Sequence, residues 1–276
     1  MKNQKKTNRN LLPEAPLSAM TEPLAAWYNE NQKPLPWRAT GDPYHIWLSE
    51  VMLQQTRTTA VIPYYHRFIE ALPTVTALAE ADDGMLMKLW EGLGYYSRAR
   101  NLKAAAIRIV EEHGGKLPAD YRALLALPGI GEYTAGAIAS IAFGIPEPAV
   151  DGNVLRVMMR LCASDMDIAA ADTKKAVTEA LRCVYPHGNG ASVLTQAIME
   201  LGENICIPNG RPRCIDCPLA PLCQGLAQNK VDELPRKSPK KARRIEQKTV
   251  LLIEHDGAFV IRRRPEKGLL AGLWEF

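Results

Sequence analysis

Four of the six cysteines fall within eighteen residues, "CIPNGRPRCIDCPLAPLC", as Cys206, Cys214, Cys217 and Cys223 in the spacing C-x7-C-x2-C-x5-C. Thiolates this dense, in a chain without a secretory leader, point to a metal site ahead of a disulfide framework. Zinc ribbons set two close cysteine pairs apart by a longer insert, whereas here one close pair has two outliers. The pattern favours a [4Fe–4S] cluster, with structural zinc on the same four thiolates and a disulfide pair as the other readings. Four thiolates leave no open coordination position, so a structural role is expected. Arg211 and Arg213 lie in the loop between the first two ligands, where they could meet phosphate.

A second chemistry comes from carboxylates. In "PYHIWLSEVMLQQT", residues 43–56, Glu50 has Ile46 and Trp47 one turn before it and Leu53 one turn after. An apolar setting disfavours the anion and would keep Glu50 protonated near neutrality, the state of a general acid. The plainer reading is a surface glutamate. In "AVDGNVLRVMMRLC" Asp151 stands just before a helix, where a carboxylate caps free amides and feels the positive end of the dipole. It is a plain N-cap on one reading and a stabilised anion on the other. One protonated acid beside one anion is the pairing that glycosidic bond cleavage uses.

"LPGIGEYTAGAIASIAFG", residues 127–144, lies between two helical patterns. Gly129 and Gly131 allow a tight turn that turns the amides of the following helix outward, able to hold a phosphate oxygen without reading sequence. Taken alone, the stretch is an ordinary helical corner.

The elements that must position these groups are helical. From about residue 18 to 229 apolar residues recur at three and four, punctuated by Pro, Gly and Asp, with no convincing strand, which predicts an all-α body. Cys162 and Cys183 sit singly on helical patterns and are expected to be buried. Residues 231–247, rich in Pro, Lys and Arg, read as a basic linker. The period then changes: "KTVLLIEHDGAFVIRRR" is two β-type runs around Asp256-Gly257, a hairpin signal.

Composition sets bounds. With 276 residues, 47% apolar and 23% charged, the chain has material for two modest cores. No apolar run approaches a membrane span, and "MKNQKKTNRNLL" lacks the apolar stretch of a signal peptide, so a cytoplasmic protein is expected. The net charge of +4 says little about nucleic acid, since residues 11–234 carry 19 Lys and Arg against 25 Asp and Glu. Binding to phosphate has to rest on local groups.

In order, "LPWR", "WLSEVMLQQT", "WEGLGYYSRARNL", "LPGIGEYTAGAI", "PAVDGNVLRV" and the cysteine loop resemble the helix-hairpin-helix DNA glycosylases that carry an iron-sulfur cluster. Within them the sequence resembles the A/G-specific adenine glycosylases of MutY type, across roughly residues 24–276. The resemblance implies two helical domains flanking a cleft. Residues 37–150 would form a six-helix domain holding the hairpin, and 20–36 with 151–230 an iron-sulfur domain. Residues 1–19 would be a flexible extension, and 248–276 the start of a Nudix-like domain whose remainder is absent.

The resemblance further implies a monomer acting on double-stranded DNA with adenine opposite 8-oxoguanine or guanine, and a nucleoid-associated location. The adenine would be flipped into the cleft. Glu50 would protonate it at N7, Asp151 would stabilise or trap the sugar cation, Tyr133 would lie against that cation, and Asn153 would orient the site. Gln55 and Tyr95 resemble wedges entering the base stack, while Trp37, Arg38 and Gln196 resemble the base pocket.

Position 133 separates branches. Endonuclease III-type relatives have a lysine there that attacks the sugar as an amine and cuts the strand, and a tyrosine cannot form that Schiff base. A monofunctional glycosylase is therefore expected. A bifunctional glycosylase/lyase for damaged pyrimidines and a non-catalytic, metal-stabilised DNA-binding module are the two rival readings. The chain departs from the family in its first cysteine gap, one residue longer than the pattern, with Gly210 able to absorb the insertion.

Overall fold

The computed structural model describes residues 12–239, 245, 247–266, 270 and 272–276. The chain divides after Ser238 into a helical unit and a short C-terminal unit. The helical unit opens with α1 (Glu14–Ala19) and α2 (Thr21–Asn31), then a 3-10 turn at Pro36–Arg38. There follow α3 (Pro43–Leu53), α4 (Thr58–Ala71), α5 (Val75–Glu80), α6 (Asp83–Trp90), α7 (Ser97–His113), α8 (Tyr121–Ala126) and α9 (Glu132–Phe143). The chain continues as α10 (Gly152–Leu161), α11 (Ala171–Val184), α12 (Asn189–Asn204) and, after two 3-10 turns in the cysteine loop, α13 (Gln224–Ala227).

The starts of these helices are written in the sequence. Asp42 accepts from Tyr44 N at 2.8 Å with Pro43 in the first turn, and Asp120 accepts from Ala123 N at 2.8 Å ahead of α8. Thr74 and Asp82 each accept from a backbone N–H three residues on, at 3.1 Å. Those two caps cut α5 out as a helix of its own, so seven α-helices, not six, lie between residues 37 and 150.

Two apolar cores form. One gathers Trp47, Leu48, Phe68, Trp90, Leu102 and Ile138 from α3 to α9. The other gathers Leu17, Met20 and Leu24 from α1 and α2 with Met158, Leu181, Leu194 and Leu219 from the second half of the unit. Residues 12–19 thus depart from the expected flexible extension: Leu12 and Leu17 are buried in the second core and α1 packs on α11. Two leucines supply enough apolar area to hold a helix of one and a half turns. Residues 1–11 lie outside the described residues.

The two lobes meet where α12 packs on α9. Thr134 to Ser140 of α9 are all buried, and their small side chains allow close approach; a Cβ on Gly136 would stand 2.6 Å from Pro148 O. Gly188 N donates to Gly144 O at 2.8 Å, and a Cβ on Gly144 would meet Gly188 Cα at 2.6 Å. A buried hydroxyl chain crosses the same seam, Tyr185 Oη to Thr195 Oγ1 at 2.7 Å and Thr195 Oγ1 to Ser140 Oγ at 2.8 Å.

The expected linker begins later than residue 231. Leu234 is buried, Arg160 donates to the carbonyls of Val231 and Leu234 at 3.0 and 2.8 Å, and Ile168 N donates to Arg236 O at 3.0 Å. Apolar Val231 and Leu234 tie this stretch down before the basic run starts. Residues 240–244 and 246 of that run lie outside the described residues. In the C-terminal unit β1 (Glu254–His255) pairs antiparallel with β2 (Ala258–Phe259) around Asp256 and Gly257, both at positive φ as a two-residue hairpin turn needs. A second pair joins β3 (Arg262–Arg263) to β4 (Trp274–Glu275).

Candidate active site

A cavity of about 260 Å³ opens between the lobes, lined by Trp37, Arg38, Glu50, Tyr133, Asp151, Asn153 and Gln196 among others. These seven were singled out by the sequence, and the fold brings them to one place from α3, α9, α10, α12 and the 3-10 turn. Glu50 is buried, and loss of hydration raises its pKa from 4.5 to about 7. The hydroxyl of Tyr133 works against that rise, the charge of Asp151 adds to it, and Arg38 opposes it. Tyr133, held in the same apolar setting beside both carboxyls, is raised well above its ordinary value and stays a neutral phenol.

Asp151 is built differently. It caps α10, with Oδ1 accepting from the backbone N–H groups of Asn153 and Val154 at 2.9 and 2.8 Å, and Oδ2 accepting from Asn153 Nδ2 at 2.9 Å. All three bonds use the carboxylate as acceptor, the arrangement of an ion at the positive end of a helix. Asn153 is fixed in turn, since its Oδ1 accepts from Arg156 Nη2 at 2.9 Å. Arg156 continues to the carbonyl oxygens of Gly202 and Cys206, both at 2.7 Å. The carboxylate is thereby connected, bond by bond, to the first residue of the cysteine loop.

The opposite wall carries groups the sequence reading passed over. Glu200 is buried and forms an ion pair with Arg38, while its Oε1 also accepts from Lys33 N at 3.2 Å. Met199 and Ser49 also line the cavity. Glu200 lies one helical turn beyond Gln196 on α12, so the i, i+4 spacing placed both on one face. A glutamate in a long helix reads by default as solvated. Gln196 directs its amide nitrogen to Ser192 Oγ at 3.1 Å.

Gln55 and Tyr95 stand apart from the cavity lining, on two exposed loops. Both take positive φ, +59° and +47°, which for non-glycine residues costs about 1–3 kcal/mol each. One buried side chain, Arg98 at the start of α7, holds both loops. Its Nη1 donates to the carbonyls of Val51, Met52 and Gln54 at 2.8–2.9 Å, and its Nη2 to those of Leu93 and Gly94 at 3.0 and 3.2 Å. The guanidinium closes the C-terminus of α3 and the turn before Tyr95 with the same fork.

The hairpin lies between α8 and α9. Gly129 has φ +73° and a Cβ there would meet Asn101 Cβ at 2.6 Å, so glycine is required. Gly131 differs from the expectation: it is the extended N-cap of α9, and a Cβ on it would touch nothing. The first turn of α9 carries no side-chain cap and starts at an exposed corner, Gly131 and Glu132.

The chain matches the family model for HhH-GPD superfamily base excision DNA repair proteins over residues 48–186. The chain belongs to the HhH-GPD superfamily. Among its curated relatives, the human adenine DNA glycosylase is 36% identical over 95% of this chain and 58% of its own length. The adenine DNA glycosylase of Buchnera aphidicola (Baizongia pistaciae) is 34% identical over 91% of this chain and 71% of its own length. The chain spans 46–61% of the length of the mammalian and plant relatives. Of solved structures, a thermostable thymine-DNA glycosylase superposes with a TM-score of 0.68 at 26% identity, over 78% of this chain and 98% of its own. Endonuclease III bound to DNA shares the fold, with a TM-score of 0.64 at 24% identity over 79% of this chain and 99% of its own.

In this HhH-GPD chain the four cysteines of the loop line one small apolar recess with Arg160, Ile205, Pro212 and Leu226. Burial raises the thiol of Cys217 to about 12, with the neighbouring thiols adding to it, and shifts Cys214 and Cys223 the same way. Four ionised thiols in such a place demand cations. Arg160 supplies one, donating to Cys206 Sγ at 3.4 Å. Four thiols in one recess are a donor set that fits a fully thiolate-ligated metal centre, zinc or iron-sulfur. Cys162 is buried beside Cys223, as expected. Cys183 is not: it is exposed on the outer side of α11, its thiol donating to Glu179 O at 3.3 Å. No helix among the described residues is long and apolar enough to cross a membrane.

Proposed function

We propose that the chain is an adenine DNA glycosylase that hydrolyses the N-glycosidic bond of adenine paired with 8-oxoguanine or guanine in duplex DNA. The observation that carries this reading is the meeting in one cavity of Glu50, whose carboxyl pKa burial raises, and Asp151, whose carboxylate oxygens accept three hydrogen bonds. Glu50, its carboxyl pKa pushed up to about 7 by burial, keeps a protonated fraction at neutrality and donates that proton to the purine of a flipped nucleotide, making it a better leaving group. Asp151, its carboxylate oxygens held by three hydrogen bonds, faces the positive charge that develops on the sugar. Tyr133 stands beside both as a neutral phenol. Arg38, Glu200 and Gln196 offer both donors and acceptors to the edge of a base, and Trp37 offers an apolar face.

The first-turn amides of α9 hold a backbone phosphate, while Gln55 and Tyr95 enter the stack from the loops that Arg98 fixes. Position 133 lacks an amine, so base removal proceeds without strand scission. The four cysteines would bind a [4Fe–4S] cluster, which supplies a fixed, fully ligated metal core to the loop that carries Arg211 and Arg213.

Incubation with duplexes carrying adenine opposite 8-oxoguanine, adenine opposite guanine, or an oxidised pyrimidine tests the reading. Adenine release, with strand breaks only after alkali, is expected. Glu50→Gln should abolish release and keep duplex binding. Strand breaks without alkali on the pyrimidine lesion would instead establish a lyase, and tight binding with no base released would establish a binding module. Iron and sulfide analysis of anaerobically purified protein decides the metal, with stoichiometric zinc refuting the cluster.

A further inference from the structure

Two buried donors near the paired loops have no acceptor in the protein: the indole N–H of Trp47 and the Nε–H of Arg98. Trp47 is 1% exposed and Arg98 7% exposed. The other N–H groups of the guanidinium are committed to backbone carbonyls and Thr56 Oγ1, which isolates Nε as the odd one out. A buried N–H without an acceptor is a rare and costly arrangement, so two on one wall ask for a common partner.

Both residues line the same recess, a space of about 20 Å³ shared with Gln54, Asn101, Pro128 and Gly129. A water needs on the order of 10–15 Å³ and two to four polar partners, and the recess supplies both. Gln54 directs its amide nitrogen to Thr134 Oγ1 at 3.3 Å, which leaves its amide oxygen as an acceptor, and Asn101 and Pro128, which also line the recess, carry further carbonyl oxygens. Two donors and at least one acceptor around so small a space match the two lone pairs and two hydrogens of one water molecule.

We propose that a single ordered water binds in this recess, accepting from Trp47 Nε1 and Arg98 Nε and donating to the amide oxygen of Gln54 or Asn101. The site joins α3, α7, the Gln54–Gln55 turn and the Pro128–Gly129 hairpin at one point. It gives the fifth N–H of Arg98 its partner and so fixes the plane of the guanidinium that holds the positive-φ residues Gln55 and Tyr95. Trp47 thereby becomes a positioning residue, acting through the water and Arg98 and touching no reacting atom. The inference stands on the recess and its donors and is independent of which base the protein removes.

The test is a crystal structure of the whole chain, with its metal, at a resolution that shows ordered solvent. A peak within hydrogen-bonding distance of both nitrogens, absent from the anomalous map after a bromide soak, is expected; a dry recess, a bromide peak, or protein acceptors for both N–H groups would overturn it. In solution, the Trp47 indole proton should show a cross-peak to water in a nitrogen-15-labelled sample, and its absence would count equally against the site. In Trp47→Phe, which removes the donor and keeps an aromatic ring, amides of the Gln54–Thr56 and Gly94–Arg98 turns should exchange with solvent about tenfold faster, as loss of roughly one hydrogen bond predicts. Unchanged exchange there would refute the positioning role, and if that variant does not fold the wild-type measurements still decide the water.

Discussion

Arg38, from the turn before α3, and Glu200, from α12, form an ion pair on the cavity wall, with their side chains 16% and 4% exposed. The pair bridges segments more than 160 residues apart in sequence and borders the space where Glu50 would meet a base. A charge this deep is stable only with its partner. Glu200→Ala strands Arg38 and should cost about 3–5 kcal/mol in urea unfolding, whereas Glu200→Ala with Arg38→Met should recover part of that loss. Both should lose adenine excision, because the recovered stability does not restore the polar wall.

Glu50 sets a pH dependence with a definite sign. Its pKa rises from 4.5 to about 7 on folding, so the folded state binds the proton more tightly than the unfolded chain. The penalty for burying it is absent below pH 4.5, grows between 4.5 and 7, and is complete above about 7. Glu50→Gln should therefore match the wild type in stability at pH 4 and exceed it at pH 8 by about 3 kcal/mol. The single-turnover rate of base release should be flat below pH 7 and fall about tenfold per unit above it.

Arg98 is a buried cation of another kind, with carbonyls and the Thr56 hydroxyl as its partners instead of a carboxylate. Arg98→Met keeps the length and removes every N–H, taking from the carbonyls of Val51, Met52 and Leu93 the donor that Arg98 gives them. Unfolding free energy should drop by more than about 3 kcal/mol. Limited proteolysis should cut first at the Gln55 and Tyr95 loops, with the hairpin still intact.

The seam between the lobes makes a separate prediction. Gly144 has φ +65° and its missing Cβ faces the backbone of Gly188. Gly144→Ala should cost at least about 2 kcal/mol, from the left-handed backbone and the displaced neighbour together. Since the displacement shifts α12 against α9, the rate of excision should fall along with stability. Gly131→Ala, where a Cβ meets nothing, serves as the control that leaves stability within about 0.5 kcal/mol.

Thiol accessibility checks the cluster reading. In the native holoprotein an alkylating reagent should label Cys183 alone, because Cys162 is buried and the four loop thiols are ligands. After chelation under oxidising conditions the count of labelled thiols should rise to five. Five labelled thiols in the untreated protein would count against a bound metal.

Much of this architecture could be read from the residues. The caps at Asp42, Asp120 and Asp151 and the small-residue run of α9 are local signals, and local signals survive folding. The Asp256-Gly257 turn is another. What escaped depends on partners distant in sequence. Glu200 and Arg98 look like solvated charges until the fold supplies Arg38 to one and a ring of carbonyls to the other. Leu12 and Leu17 look like a tail until α11 covers them. Cys183 failed in the opposite sense, since its helix turns that face outward. Gly131 reads, with Gly129, as allowing the tight turn, but its backbone is extended and a Cβ there would meet nothing.

Gly144 and Gly188 touch main chain to main chain, with no Cβ between those two residues to yield like a cushion. In the proposed reaction a nucleotide enters between these lobes, and a joint with so little room to give would leave the bending to the double helix; duplexes that kink easily should be opened soonest.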